Sequence, residues 1–224
     1  MIALVCLETP RPSRASLSAL RLACGLGQGM RVAALCVGGG AECESIGQAR
    51  RCGSVERVFH LDDSSLNKAD FFTLGMVLAE AAQHLCAGLV ITGESSDEEG
   101  QGLVPAALAH HLRAPLVSRV QGIRALESPP NCVEVSLRAS GRLCRLQSPL
   151  PLIASVPPLG LPAGTAGETE LRPIETLTLE QLGIDPSRLV FRPELLGIFV
   201  PGKPVPVQGG TFDEAADILL RRNH

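Results

Sequence analysis

The 224-residue chain has little aromatic character, with no tryptophan, no tyrosine and six phenylalanines. Proteins that bind single-stranded nucleic acid stack bases on aromatic side chains, so this composition argues against such a platform. The formal net charge of −3 gives no general attraction to nucleic acid or to anionic membranes. No apolar run reaches the length of a membrane span, and the first residues lack the basic segment of a signal peptide. We therefore expect a cytoplasmic globular protein that binds no nucleic acid and inserts in no membrane.

The chain also lacks the usual cysteine motifs. Its eight cysteines are scattered, at positions 6, 24, 36, 43, 52, 86, 132 and 144. None forms a Cys-x-x-Cys pair, and none has zinc-finger spacing to another Cys or His. We expect reduced thiols that act as small hydrophobic side chains. Cys43 and Cys52 bracket one predicted helix and are candidates for redox chemistry, although no motif favours it.

Nucleotide and hydrolase signatures are absent as well. The stretch Gly25-Leu26-Gly27-Gln28-Gly29 follows a predicted helix, whereas a dinucleotide fingerprint follows a strand and opens a helix. There is no Walker A sequence. Ser95 resembles a nucleophile elbow, but the required Gly-x-Ser-x-Gly pattern fails at Asp97. These observations argue against an ordinary Rossmann NAD site and against hydrolase chemistry, so we assign no catalytic residue and no metal ligand.

Strands and helices alternate along the first half of the chain. We predict strands at Ile2–Leu7, Arg31–Val37, Val55–Leu61, from Leu89, and at Pro115–Gln121, with helices at 13–24, 41–52 and 69–86 and from Val104. Alternation at this spacing indicates βαβ units with right-handed crossovers. The fold class is therefore α/β, with an open, mostly parallel, doubly wound sheet.

The pattern changes after residue 122. A β-hairpin is predicted within 132–146, and residues 149–206 hold 11 of the 17 prolines. We predict an α/β domain at 1–160 and an extended arm at 161–224, with a short helix at 179–182 and a last helix at 212–222. Thr178 and Gln181 form a capping-box pattern for the first of these. A Pro-rich arm of this kind lies either on another subunit or on its own domain, and composition does not decide between them.

Three glycine-containing or proline-containing turns follow predicted strands. They are Thr9-Pro10, Gly38-Gly39-Gly40 and the loop from Gly93 to Gly102. The carboxyl ends of parallel strands form the ligand-binding edge of an open α/β sheet. The third loop carries four acidic residues, and no Lys or Arg occurs from Ala69 to Leu112. A phosphate at this edge would therefore depend on backbone N–H groups or on an Arg from another segment.

With these elements placed, the chain resembles the β subunit of electron transfer flavoproteins. Four segments carry the resemblance: VAALCVGGGAECESIGQARRCGSVER (32–57), LVITGESSDEEGQGLVPAALAHHLRAP (89–115), VEVSLRASGRLCRLQSPLPLIASV (133–156) and RPIETLTLEQLGID (172–185). They resemble, in order, the second strand with its Gly turn and helix, the Thr-Gly loop and helix, the hairpin with the following strand, and the arm of that family. The match spans nearly the whole chain.

The resemblance implies an adenine-nucleotide α-hydrolase-like fold and an electron carrier subunit more than a stand-alone enzyme. The subunit would pair with an α-like subunit, share its FAD, bind AMP, and pass electrons from dehydrogenases to a respiratory acceptor. By position, the cofactor-binding residues would be Val5, Thr9, Val37, Gly38, Ser96, Glu99, Gly102, Leu103 and Val104. The flavin would carry the chemistry, with no covalent catalytic residue in the protein.

The chain departs from the family in three segments. The insertion after the first strand is reduced to Thr9-Pro10-Arg11-Pro12. The family's polar residues near the phosphate correspond to Gly102-Leu103-Val104, which leaves backbone donors alone. The segment that contacts partner dehydrogenases is replaced by PPLGLPAGTAGETELRP (157–173). These departures motivate an alternative: a non-redox adenine-nucleotide-binding regulatory α/β protein, free as a homodimer.

Overall fold

The computed structural model describes residues 1–26, 30–95, 102–160 and 171–189. The chain divides into two units, Met1–Phe191 and Arg192–His224, and all of the described residues lie in the first. The predicted helix at 212–222 lies outside the described residues. Within the described part, no helix combines the length and the apolar character that crossing a membrane requires.

Four α-helices and ten strands make up the described part of the chain. The helices are α1 (Arg14–Cys24), α2 (Glu44–Arg51), α3 (Phe71–His84) and α4 (Val104–Leu112). The strands are β1 (Ile2–Leu7), β2 (Arg31–Val37), β3 (Val55–Leu61), β4 (Ala87–Gly93), β5 (Leu116–Val117), β6 (Val120–Leu126), β7 (Cys132–Ala139), β8 (Arg142–Pro149), β9 (Leu152–Val156) and β10 (Ile174–Leu177).

Seven of the strands form one parallel sheet in the order β10-β3-β2-β1-β4-β9-β5. The first strand lies near the centre, where Val5 is in register with Ala34 of β2 and Ile91 of β4. Buried residues of α1 and α2 belong to a cluster on one face of the sheet, and those of α3 and α4 to a cluster on the other. The predicted doubly wound α/β fold is confirmed.

Local sequence sets where two of the helices begin. Ser13 precedes α1, and its hydroxyl accepts a hydrogen bond from the Ser16 N–H at 3.1 Å. Asp70 precedes α3, and its carboxylate accepts from the Thr73 N–H at 2.7 Å. Both are side chains that satisfy an N–H group left free at a helix start.

A second, antiparallel sheet has the order β6-β7-β8. The predicted hairpin is present and longer than expected, with Ala139 opposite Arg142 across the Ser140-Gly141 turn. The predicted strand at Pro115–Gln121 is not continuous. Arg119 has a φ of 61°, which breaks the extended backbone. The two-residue strand β5 precedes Arg119 and joins the parallel sheet. Strand β6 follows Arg119 and joins the antiparallel sheet.

Residues 171–189, which sequence composition assigned to the arm, contribute to the main sheet. Strand β10 pairs in parallel with β3, and Leu177 lies opposite Leu61. The capping box forms as its residues suggest: the Thr178 N–H donates to Gln181 Oε1 at 2.9 Å, and the Gln181 N–H donates to Thr178 Oγ1 at 3.2 Å. Residues 179–182 form a turn, not an α-helix, because Gly183 ends it with a φ of 68°.

The sulfur atoms of Cys24 and Cys52 are joined as a disulfide, with Cα atoms 7.4 Å apart. The other six cysteines are free. The expectation that all eight are reduced thiols is therefore wrong for this pair. The two positions are 28 residues apart in sequence, and they adjoin only because α1 and α2 pack on the same face of the sheet.

Candidate functional site

The candidate site lies at the carboxyl edge of β1, β2 and β4. Strand β1 lies between β2 and β4 in the sheet. From β1 the chain passes to β2 and then β3 on one side, and only afterwards returns to form β4 on the other side of β1. The crossover helices therefore change face between β1 and β4. Open α/β sheets bind ligands at such a switch point, where the turns on either side diverge and leave a crevice.

The turns after β1 and β2 are held together by side-chain hydrogen bonds. Thr9 Oγ1 donates to the carbonyl oxygen of Val37 at 2.7 Å. Ser45, in the first turn of α2, donates through its hydroxyl to the carbonyl oxygen of Glu8. The turn at Gly39 also passes so close that a Cβ atom there would lie 2.9 Å from the Thr9 Cβ. The two turns therefore form one rigid wall of the edge.

His60 of β3 contacts the turn after β2 from within the protein. The imidazole is 1% exposed, and its Nε2 lies 3.1 Å from the Gly38 carbonyl oxygen. The Gly38 N–H donates to the Leu61 carbonyl at 3.0 Å. Gly38 and Gly39 both have positive φ, of 69° and 68°, a conformation that glycine adopts without steric cost. Sequence reasoning missed His60, for which the available signal was a polar residue near the end of a buried strand.

The β4 turn joins the edge through the start of α1. The Ser13 hydroxyl donates to the Ser95 carbonyl oxygen at 3.3 Å. At the other end of this loop, a Cβ on Gly102 would lie 2.8 Å from the Glu94 carbonyl oxygen, so Gly102 sits directly against the loop's first residues. The Glu94 N–H donates to the Val156 carbonyl at 2.8 Å, which fixes that end to β9.

Among the described residues, no side chain caps the start of helix α4. Leu103 occupies the N-cap position and makes no side-chain hydrogen bond, and Pro105 follows within the first turn. By contrast, Ser13 caps α1. The uncapped N–H groups of α4 carry the positive end of the helix dipole, which favours an anion. The residues present therefore fit a nucleotide phosphate through backbone donors, as the Gly102-Leu103-Val104 sequence implies.

Thr92 supplies a further polar group near the end of β4. Its side chain is 4% exposed, and its hydroxyl has no hydrogen-bond partner among the described residues. Leaving a buried hydroxyl unpaired costs about 1–3 kcal/mol. A ligand hydroxyl or ring nitrogen would satisfy it, and Thr92 was not among the residues predicted from sequence.

The charge around the edge is mixed. The Glu8 carboxylate accepts from the Ser13 N–H at 3.1 Å. Arg11 reaches Glu44 at 3.8 Å, and its side chain is largely exposed, so it is available to an anion. Burial raises the pKa of Cys6 to about 12 and also raises the pKa of Cys36. Both thiols stay protonated at neutral pH, so neither supplies a nucleophile here.

The predicted cofactor-binding residues have different positions in the structure. Thr9, Val37 and Gly38 lie together at the joined turns of β1 and β2. Gly102, Leu103 and Val104 lead into α4, and Leu103 is exposed. Val5 is fully buried in the core of β1, so its side chain offers no surface at this edge. Ser96 and Glu99 lie outside the described residues.

These features define a doubly wound α/β protein. The carboxyl ends of its strands form a switch point of the kind at which such sheets bind ligands. The chain matches the family model described as the electron transfer flavoprotein domain over residues 5–182. It therefore belongs to the electron transfer flavoprotein domain family, which confirms the family inferred from its motifs. Members of this family generally bind a flavin and typically work with partner subunits. A search of curated proteins finds no significant match to the chain.

Proposed function

We propose that the chain is a β-like subunit of a heterodimeric electron transfer flavoprotein. It pairs with an α-like subunit, shares one FAD with it, and carries AMP at the carboxyl edge of β1, β2 and β4. The complex passes electrons from dehydrogenases to a respiratory acceptor in the cytoplasm. The observation that carries the proposal is the joined set of turns at that edge in a chain of this family.

Backbone donors support the AMP part of the proposal. The uncapped start of α4 offers N–H groups to a phosphate, and the exposed Arg11 adds a positive charge nearby on the β1 turn. The unpaired Thr92 hydroxyl suits a ribose hydroxyl or an adenine nitrogen. The polar side chains that the family uses beside the phosphate are replaced here, so we expect weaker AMP binding than in relatives that retain them.

The antiparallel sheet supports the heterodimer part. Strand β8 lies at its edge, and most of its residues are exposed. Leu143 and Leu146 of this strand are 58% and 46% exposed. The two leucines are three positions apart and so lie on opposite faces of the sheet. Among the described residues no strand pairs with the outer edge of β8, and an exposed edge strand of this length can pair with a strand of a partner chain. We therefore place the α-like subunit against β8.

FAD, when bound, supplies the electron-accepting and electron-donating chemistry. This chain contributes placement, through the hydrogen-bonded turns after β1 and β2. The thiols of Cys6 and Cys36 remain protonated, because burial raises the pKa of each. No residue here is assigned a proton-transfer or covalent role.

Co-expression tests the heterodimer. The chain is produced together with a candidate α-like subunit, purified through a tag on the chain alone, and examined by absorbance and size-exclusion chromatography. We expect a yellow complex with one flavin for each pair of subunits. A colourless chain that elutes without the α-like protein would contradict the proposal. A Leu143→Glu, Leu146→Glu double variant should lose the partner while keeping the far-ultraviolet circular dichroism of the wild type.

Mass spectrometry of small molecules released from the purified complex tests the nucleotide. AMP together with FAD supports the proposal in full, and FAD alone places the flavin but removes AMP. ATP or AMP bound to a flavin-free homodimer would instead support the regulatory adenine-nucleotide protein, which the loss of polar side chains at 102–104 favours.

A further inference from the structure

Cys24 and Cys52 meet at the amino edge of the parallel sheet. Cys24 is the last residue of α1, which precedes β2, and Cys52 directly follows α2, which precedes β3. Both helix ends therefore lie on the side of the sheet opposite the joined turns. The two cysteines are bonded through their sulfur atoms, although nothing in their sequence spacing marks them as a pair.

Cys24 and Cys52 differ from the other cysteines because each has a second cysteine sulfur beside it and each is partly exposed to solvent. Cys24 and Cys52 are both partly exposed and pack against the edge of the core. Cys6 and Cys36 are buried, and burial raises the pKa of each thiol. Cys86 is exposed but free. Thiol–disulfide exchange needs solvent access and a second thiol within reach, and this pair has both.

We propose that Cys24 and Cys52 form a reversible oxidation site that exchanges with low-molecular-weight disulfides such as glutathione disulfide. One cysteine thiolate attacks a sulfur of the small disulfide, forms a mixed disulfide and releases one small thiolate. The second cysteine thiolate then attacks the protein sulfur, closes the Cys24–Cys52 bond and releases the second small thiolate. Two protein thiols lose two electrons and two protons, and one small disulfide gains them as two thiols.

This site does not depend on flavin or AMP. It lies at the sheet edge away from Thr9 and Gly38, and its chemistry needs only the two sulfur atoms and a small disulfide. The Cα separation of 7.4 Å exceeds the range of relaxed disulfides, so closing the bond requires a backbone movement. We expect the bond to open in a reducing buffer, because both cysteines are partly exposed to the reductant.

Peptide mapping of the full-length wild-type protein tests the proposal. The reduced protein is incubated with glutathione disulfide, its free thiols are trapped with an alkylating reagent, and the digest is examined by mass spectrometry. We expect a peptide crosslinked through Cys24 and Cys52, glutathione on the exposed Cys86 as a positive control for the oxidant, and loss of the crosslink in dithiothreitol. Alkylation of both Cys24 and Cys52 in protein that carries glutathione on Cys86 would overturn the proposal.

Two variants separate exchange from simple oxidation. In Cys24→Ser, the Cys52 mixed disulfide with glutathione should persist, because no neighbouring thiol displaces it. In the matched control Cys86→Ser, the Cys24–Cys52 crosslink should form as in the wild type. A glutathione adduct that persists on Cys52 of the wild type, or a crosslink that survives dithiothreitol in the folded protein, would also overturn the proposal.

Discussion

The hydroxyl of Thr9 donates a hydrogen bond to the carbonyl oxygen of Val37, across 2.7 Å and 28 positions of sequence. This bond ties the end of the central strand to the end of its neighbour, and it is part-buried. Because Thr9→Val keeps the side-chain shape and removes only the donor, we expect the free energy of unfolding to fall by about 1 kcal/mol. Urea denaturation measures the change. Thr9→Ser, which keeps the hydroxyl, should lose less, and equal losses in both variants would contradict a role for this bond.

Adjacent glycines in the β2 turn provide a test of the candidate nucleotide site. Gly39 has a φ of 68°, and an added Cβ would meet the Thr9 side chain at 2.9 Å, whereas a Cβ on Gly40 meets nothing within 4 Å. We therefore expect Gly39→Ala to weaken AMP binding at least about tenfold, a loss of roughly 1.4 kcal/mol, because it moves the joined wall. Isothermal titration with AMP measures the affinity. Gly40→Ala should bind like the wild type, and equal affinities in all three proteins would remove this turn from the site.

The helix pair α3 and α4 crosses at Gly75. A Cβ there would lie 2.5 Å from the Ala107 Cβ and 2.8 Å from the Leu108 backbone nitrogen. Alanine is the better helix former by about 1 kcal/mol, but this close approach makes overpacking dominant. We expect Gly75→Ala to destabilise the protein by about 1–3 kcal/mol, measured by thermal or chemical unfolding.

Gly47 in α2 is the matched control for that substitution. The three atoms nearest to an added Cβ all belong to the guanidinium group of Arg51, the closest at 3.3 Å, and that flexible side chain can move aside. Helix propensity should then decide the sign, so Gly47→Ala should raise the free energy of unfolding by up to about 1 kcal/mol. Destabilisation by both substitutions would mean that the crossing at Gly75 is not special.

The alternation of strands and helices was sufficient to predict the parallel sheet, because each βαβ unit carries its own hydrophobic period and turn residues. Strand β10 was not predicted as part of that sheet. It has four residues in a Pro-rich stretch, and its partner Val58 lies far back in the chain, so only long-range pairing reveals it. Phe71 shows the same limit: it has helical spacing to the apolar residues Leu74 and Leu78 of α3, yet it is 42% exposed.

The edge pairing of β10 should depend on pH. Arg57 of β3 donates two hydrogen bonds to the Glu175 carboxylate, one of them across 2.7 Å, and this bonding lowers the pKa of Glu175. A lowered pKa in the folded state stabilises the protein above the ordinary glutamate pKa of about 4.3. That stability is lost as pH falls from there through the lower folded value.

The size of this effect should be small because both side chains are about half exposed. We expect less than about 1 kcal/mol. Unfolding curves of the wild type and Glu175→Gln, recorded from neutral pH down to the acid limit, should converge at low pH. A constant difference across the whole range would show that the ionised carboxylate is not responsible.

Oxidation of the Cys24–Cys52 pair should raise stability. Closing a loop whose ends are 28 residues apart restricts the unfolded chain, which corresponds to at most about 3–4 kcal/mol in the chain-entropy account, less the cost of any distortion of the folded state. Chemical denaturation with and without dithiothreitol measures the difference. The Cys24→Ser, Cys52→Ser double variant should show no response to the reductant, and a response in that variant would assign the effect to other thiols.

The candidate site was predictable in position but not in detail. Turns after parallel strands must share one edge, so Thr9 and Gly38 could be placed together from sequence. The roles of His60 and Ser45 could not, because each acts through a backbone carbonyl of a different turn. Such contacts leave no local pattern in the chain, and the Cys24–Cys52 pair eluded prediction for the same reason.

The two outer strands of the parallel sheet, β10 and β5, are both short. Strand β10 has four residues and β5 has two, so neither gives a foreign strand enough hydrogen bonds for firm pairing. Strand β8 has eight residues and is mostly exposed. Non-native aggregation of this chain in the absence of a partner should therefore begin at β8, and a solubilising substitution is best placed there.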